Sequence, residues 1–311
     1  MERTLYLHHY PASLFSEKVR SMLGYLGLRW RSVVIPSVMP RPLLMPLSGG
    51  YRRTPVLQIG ANVYCDTAVI ARGLARESGD ATLFAHGFAA ERVAEWADTQ
   101  LFRVTVALNF APEAVGGVMR QLSQAEIEAF VKDRAELSKG SSLQTFSTAA
   151  ARAYLDVTLE GLESDLASPG RAPFLFGDAP CIADFSVYHC LWFLRNNPVN
   201  APLLEPFRGV CGFLERMAAF GHGDVETSSG EQALAHARQS EPRLPALAAA
   251  PPAGIALGER VRVTPVDYGR VPVAGVLVAC STSETVLARE TPEVGRVMTH
   301  FPGAGFEIAK A

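Results

Sequence analysis

The chain has 311 residues, 48% hydrophobic and 19% charged, enough for two or three domains that each bury a core and too much for one small domain. Its formal net charge of -2, with Lys and Arg scattered, leaves no electrostatic footprint for a phosphate backbone and so excludes nucleic acid as an expected partner. The five cysteines, Cys65, Cys181, Cys190, Cys211 and Cys280, are widely separated and form no C-x-x-C pair, which fits a reducing cytoplasm. Neither a basic-then-apolar leader nor a run of about eighteen apolar residues occurs, so neither export nor a membrane span is expected. His8 and His9 are adjacent on a strand and point to opposite faces, and no other ligand-type spacing supports a metal; none is expected.

Residues 3–9 read as a strand closed by Tyr10-Pro11. Val19, Met22, Leu23 and Leu26 then form one apolar stripe of a helix, with Glu17, Lys18 and Arg20 expected to face water and Gly27 ending it. Residues 31–35 read as a second strand, so the chain opens β-α-β with a right-handed crossover. Pro36, Pro40, Pro42 and Pro46 make residues 36–50 an irregular loop. Val56 to Ile59 and Asn62 to Tyr64 flank Gly60-Ala61 as a hairpin, and a helix follows from Asp66.

From Gly87 the pattern changes to long helical periodicity, with a capping box at Ser123-x-x-Glu126, a break over 138–142, and helices over 145–166, 182–195 and 203–220. Residues 241–254 read as a Pro/Ala linker. Beyond it Val261, Val263, Val271, Val273, Val276 and Val278 favour short strands separated by turns such as Asp267-Tyr-Gly269. The organisation is an α/β unit over 1–80, an all-helical unit over 87–240 and a small β-rich module over 255–311.

Three motifs carry a family resemblance: Tyr10-Pro-Ala-Ser13-Leu-Phe-Ser16-Glu-Lys-Val-Arg20, Arg53-Thr54-Pro55-Val56-Leu57 followed by Tyr64-Cys65-Asp66-Thr67, and Phe174-Leu-Phe-Gly177-Asp-Ala-Pro180-Cys-Ile-Ala-Asp184. Together, over residues 1 to about 220, they make the chain resemble the glutathione transferase superfamily, in its Ser- and Cys-type branch. The resemblance implies a thioredoxin-like N-terminal domain followed by a helical bundle, a homodimer, and glutathione as co-substrate, its thiolate added to a small electrophile or used against a peroxide or a glutathione conjugate. It makes Ser13, with Tyr10 as rival, the stabiliser of the glutathione thiolate. Thr54-Pro55, if cis, offers the Thr54 backbone to an extended peptide. Asp66 and Thr67 open a helix whose free N–H groups suit a γ-glutamyl carboxylate, and Arg53 is the candidate for the glycyl carboxylate. The third motif departs from the family where Cys181 replaces the usual Ser or Thr cap, leaving Asp184 half a capping box. The competing function is a glutathione-binding or interaction scaffold without catalysis. All the binding motifs precede residue 70, so the site is expected to be independent of the C-terminal module.

Overall fold

The computed structural model describes residues 4–143, 145–168, 170, 172–246 and 250–311. Arg3, the first residue of the expected strand, and residues 247–249 of the expected linker lie outside the described residues. Strand β1 (Leu5–His9) runs parallel to β2 (Arg29–Val34) and antiparallel to β3 (Val56–Ile59), which turns directly into β4 (Asn62–Cys65). Every residue of β1, β3 and β4 is buried. A sheet covered on both faces leaves no wet side, which is why His8 and His9 are both enclosed despite pointing apart. His8 meets the Gln58 side chain at 3.2 Å, and His9 meets Ser32 Oγ at 2.8 Å.

Helix α1 (Leu14–Tyr25) corrects one expectation: Glu17, Lys18 and Arg20 are 4%, 0% and 5% exposed rather than solvent-facing. Their face is covered by a bundle helix that packs across α1, and the charges are matched inside. Glu17 accepts from Arg20 Nη2 at 2.8 Å and lies 3.1 Å from His222 Nε2. Burial raises the Glu17 pKa, but His222 and Arg20 outweigh it and hold the carboxyl below its ordinary value.

The proline-rich loop contains one short turn, α2 (Met45–Ser48), and α3 (Thr67–Ser78) follows β4. The helical unit comprises α4 (Gly87–Trp96), a π-helical turn over Ala97–Leu101, α5 (Phe102–Asn109), α6 (Val115–Met119), α7 (Gln124–Ser138), α8 (Thr148–Leu166), α9 (Ile182–Arg195) and α10 (Arg208–Ala219). The capping box at Ser123 and Glu126 is formed. At α9 the Asp184 carboxylate accepts from Cys181 N–H at 2.9 Å and from Leu175 N–H at 2.8 Å, so it ties the preceding loop to the helix start. The expected helix over 203–220 starts later, at Arg208, after a 3-10 turn over Ala201–Leu203, since Pro206 cannot donate inside a helix.

One element escapes the helical reading of residues 87–240. Strand β5 (Asp224–Ser228) returns to the sheet parallel to β2, and α11 (Gly230–Arg238) follows it. Four of the five β5 residues are exposed, so no apolar alternation marks it.

The C-terminal strands are β6 (Arg260–Pro265), β7 (Val273–Cys280), β8 (Glu284–Thr291), β9 (Gly295–Pro302) and β10 (Phe306–Lys310). They extend the N-terminal sheet: β9 pairs in parallel with β4, giving ten strands in the order β10-β6-β7-β8-β9-β4-β3-β1-β2-β5. Tyr6, Tyr51, Val56 and Val63 share one apolar core with Val261, Leu277, Val297 and Phe301. A polar clamp reinforces the seam. Arg76 on α3 reaches both Glu284 oxygens, at 2.8 and 3.1 Å, and Glu284 meets His300 Nδ1 at 2.6 Å. The Tyr64 ring stacks on His300 with centroids 4.3 Å apart.

Candidate active site

Asp66 follows β4 and caps α3, its side chain accepting from Ala68 N–H at 3.0 Å. Among the described residues it is the one non-glycine with positive φ, at 98°. Such a conformation costs on the order of 1–3 kcal/mol and persists only where the surroundings over-determine it. Here β4 is paired on both edges and α3 is packed into the core, so the turn between them cannot relax.

Beside it, the Thr54–Pro55 peptide is cis. Sequence reasoning missed the residue that steadies this segment. Buried Arg41 donates to the Arg52 carbonyl and Thr54 Oγ1, both at 2.8 Å, and to the Pro36 and Ser37 carbonyls at 2.9 and 3.0 Å. One guanidinium thereby sews the proline-rich loop to the segment ahead of β3.

A cavity of about 260 Å³ opens over these residues. Its walls include Phe15 and Lys18 of α1, Arg53 to Pro55, Asp66 to Ala68, and Asp98 of the π-helical turn. The module supplies a further part of the wall through Asp267, Tyr268, Thr282, Ser283 and residues 302–306. The expected independence of the site from the module therefore gives way to a shared wall, because β9 alongside β4 carries the module's loops over the α3 N-terminus.

Arg53 sits at that junction. Its Nη2 donates to the Asp267 carboxylate and the Tyr268 carbonyl, Nη1 lies 3.7 Å from Asp66, and the Tyr268 ring covers the guanidinium at 4.0 Å. Burial works against the Arg53 charge, but Tyr51, Tyr268, Asp66 and Asp267 together raise its pKa further. For Asp66 burial is the larger effect and raises the carboxyl above its usual value, with Arg53 pulling the other way.

The cavity floor holds a second charge cluster, built from residues far apart in the chain. Lys18 Nζ is 2.6 Å from Asp98 Oδ2 and 3.4 Å from Thr67 Oγ1, and His189 Nε2 is 3.0 Å from Asp98 Oδ1. Burial opposes ionisation of Asp98, yet Lys18 and His189 prevail and keep its pKa low. Burial lowers the His189 pKa more than Asp98 raises it, so the ring is neutral at pH 7 and donates from Nε2.

Ser13 caps α1, its Oγ accepting from Ser16 N–H at 3.2 Å, and is 4% exposed. Tyr10 stands half-buried at the end of β1, its carbonyl accepting from Ser13 N–H at 3.1 Å. Of the expected site residues, Arg53, Thr54, Pro55, Asp66 and Thr67 come together around the cavity, while Ser13 and Tyr10 stand outside its lining.

Residues 7–82 match the family described as glutathione S-transferase, N-terminal domain, and residues 145–216 match glutathione S-transferase, C-terminal domain. A GST-like protein from Pseudomonas syringae, of known crystal structure, is 40% identical over 98% of this chain and 100% of its own, with a TM-score of 0.82. The chain belongs to the glutathione S-transferase superfamily. That relative spans the C-terminal strands as well, so the β-rich addition to the transferase fold is shared by the two proteins. Fold likeness extends to beta-etherase LigF from Sphingobium sp. strain SYK-6, 19% identical with a TM-score of 0.51, covering 70% of this chain and 96% of that one. It extends equally to a glutathione S-transferase from Rhodospirillum rubrum F11, 16% identical with a TM-score of 0.50, covering 69% and 88%. No curated protein matches the chain. Among the described residues of this transferase-family chain, no helix is long and apolar enough to cross a membrane.

Proposed function

We propose that the cavity binds glutathione and that the protein adds its thiolate to an electrophilic carbon. The observation carrying this reading is the strained Asp66 turn, set beside the Thr54–Pro55 segment in one cavity. Asp66 meets the γ-glutamyl ammonium, while Thr67 and the start of α3 take the carboxylate, with the buried Lys18 cation 3.4 Å behind Thr67 Oγ1. The Thr54 backbone pairs with the cysteinyl residue as a strand would. Arg53 faces the glycyl carboxylate.

Ser13 is the thiolate stabiliser in this scheme. Its Oγ already accepts from Ser16 N–H, so the hydroxyl proton is free to donate to sulfur. At a typical thiol pKa near 8.5, lowering by about two units makes the thiol mostly thiolate at pH 7 and requires about 2.7 kcal/mol. A hydroxyl donor and the α1 dipole supply on the order of 1 kcal/mol each. The thiolate then attacks the electrophile, forming the S–C bond as a leaving group departs, a strained ring opens, or the electron pair of a C=N bond moves onto nitrogen and takes up a proton.

A second reading, a glutathione-binding scaffold without turnover, is favoured by the position of Ser13 outside the cavity lining. Glutathione-matrix retention together with a panel of aryl halides, epoxides, isothiocyanates and hydroperoxides separates the two. Turnover on the halides, epoxides or isothiocyanates supports the transferase, turnover of hydroperoxides alone points to thiol peroxidase chemistry instead, and retention without turnover supports the scaffold. A reducing cytoplasm belongs to the same proposal, supported by free Cys65, Cys181, Cys190, Cys211 and Cys280. So does a homodimer, for which β5 and β10 are the sheet's open edges.

A further inference from the structure

We infer that Asp267 is a specificity-determining residue: the C-terminal module holds, on Arg53, the position that a free carboxylate at the end of a bound peptide would otherwise occupy. The inference rests on the glutathione reading above and deepens it. Among the described residues, Arg53 is the one proposed peptide contact that the module engages through a charge. Its guanidinium meets the Asp267 carboxylate and the Tyr268 carbonyl on Nη2, with Asp66 beyond Nη1 at 3.7 Å and the Tyr268 ring across its face. A peptide carboxylate arriving there finds the cation already neutralised and must displace Asp267 or go unpaired.

The grip is incomplete in a way that points to a ligand. Asp267 meets Nη2 through one oxygen, and Arg53 Nε is buried without a partner. Nε and Nη2 form the edge of the guanidinium that matches a carboxylate bidentately. A carboxylate that displaces Asp267 can engage both nitrogens, so glutathione is still admitted, but the displaced Asp267 carboxylate then loses its own partner, a cost that a ligand without a far carboxylate does not meet. Displacement needs only a turn of the Asp267 side chain, because the loop's backbone is fixed elsewhere. Ser142 N–H donates to the Asp267 carbonyl at 3.1 Å, and Gly269 N–H donates to the Leu137 carbonyl at 2.8 Å.

The preferred ligands are thus γ-glutamyl thiols whose far end carries no free carboxylate, such as glycyl esters or amides of glutathione. Glutathione itself binds against the competition of Asp267. Titration calorimetry on the full chain and its Asp267→Asn variant, with glutathione and its glycyl monoethyl ester as the two probes, tests this. Asp267→Asn tightens glutathione at least tenfold and leaves the ester within threefold. An equal change for both probes, or none for either, overturns the inference and leaves the glutathione site standing. Should the variant fail to fold, the wild-type chain decides: an ester bound within twofold of glutathione or tighter supports the inference, and a tenfold preference for the free carboxylate overturns it. Binding of neither probe to any folded protein removes the glutathione reading and this inference with it.

Discussion

Replacing Asp66 by Asn separates what this residue does for the fold from what it does for a ligand. Asn retains a side-chain oxygen to accept the Ala68 N–H and tolerates positive φ better than most residues, so the cap and the 98° turn survive. The variant loses the charge and its attraction to Arg53 at 3.7 Å, a partly exposed contact worth under about 1 kcal/mol. Stability therefore changes by about 1 kcal/mol or less. Binding loses a charged hydrogen-bond partner for the γ-glutamyl ammonium, about 1.5–3 kcal/mol, or about 10- to 150-fold in Kd. Asp66→Ala removes the cap as well, about 1 kcal/mol, and adds the strain of a side chain with no local compensation, about another 1–2 kcal/mol. Urea denaturation and titration calorimetry on both variants measure the two quantities separately. An Asn variant of native stability whose glutathione Kd is unchanged refutes the role given to Asp66.

Ser13→Ala raises the pKa of the bound thiol by at least one unit, about 1.4 kcal/mol, and cuts turnover at pH 7 about tenfold with little effect on Kd; if the thiol titration stays put while Tyr10→Phe moves it, Tyr10 holds the thiolate. Glu284→Ala leaves His300 and Arg76 without their shared partner at the seam and destabilises the chain by about 3 kcal/mol, whereas Arg152→Ala, at an exposed pair, costs under about 0.5 kcal/mol; equal effects in denaturant melts contradict the seam. Burial lowers the His8 pKa to about 4, against a smaller raising effect of its Gln58 hydrogen bond, and burial lowers His9 to about 3. The unfolded chain protonates near 6.5, so this stability is complete above that pH and is lost as pH falls toward 4. His8 alone removes about 2 kcal/mol between pH 7 and 5, and a His8→Gln variant with an undiminished pH dependence contradicts this.

The parts of the site that were legible beforehand are those whose logic is local. Thr54-Pro55 ahead of a strand, and Asp66-Thr67 between a strand and a helix, sit within a few residues of the elements they serve. The burial of Glu17, Lys18 and Arg20 was not legible, because an α1 covered by a bundle helix as well as by the sheet requires knowing how α9 lies across it. Asp98 and His189 join Lys18 from 80 and 171 residues away, the latter through Asp98, and a single chain carries no signal of such meetings. Asp267 reaches Arg53 across 214 residues, and its Asp-Tyr-Gly context reads as an ordinary turn. Strand β5 was hidden by its own exposure, since an edge strand held by Arg29 and Arg31 to Asp224 and Glu226 needs no apolar alternation.

A crystal structure of the full chain with glutathione bound tests the central claim most directly. The γ-glutamyl group is expected at Asp66 and Thr67, the cysteinyl backbone paired with Thr54, and the sulfur within hydrogen-bond reach of Ser13 Oγ. Glutathione seated elsewhere, or seated in the cavity with its γ-glutamyl group away from the α3 N-terminus, contradicts it.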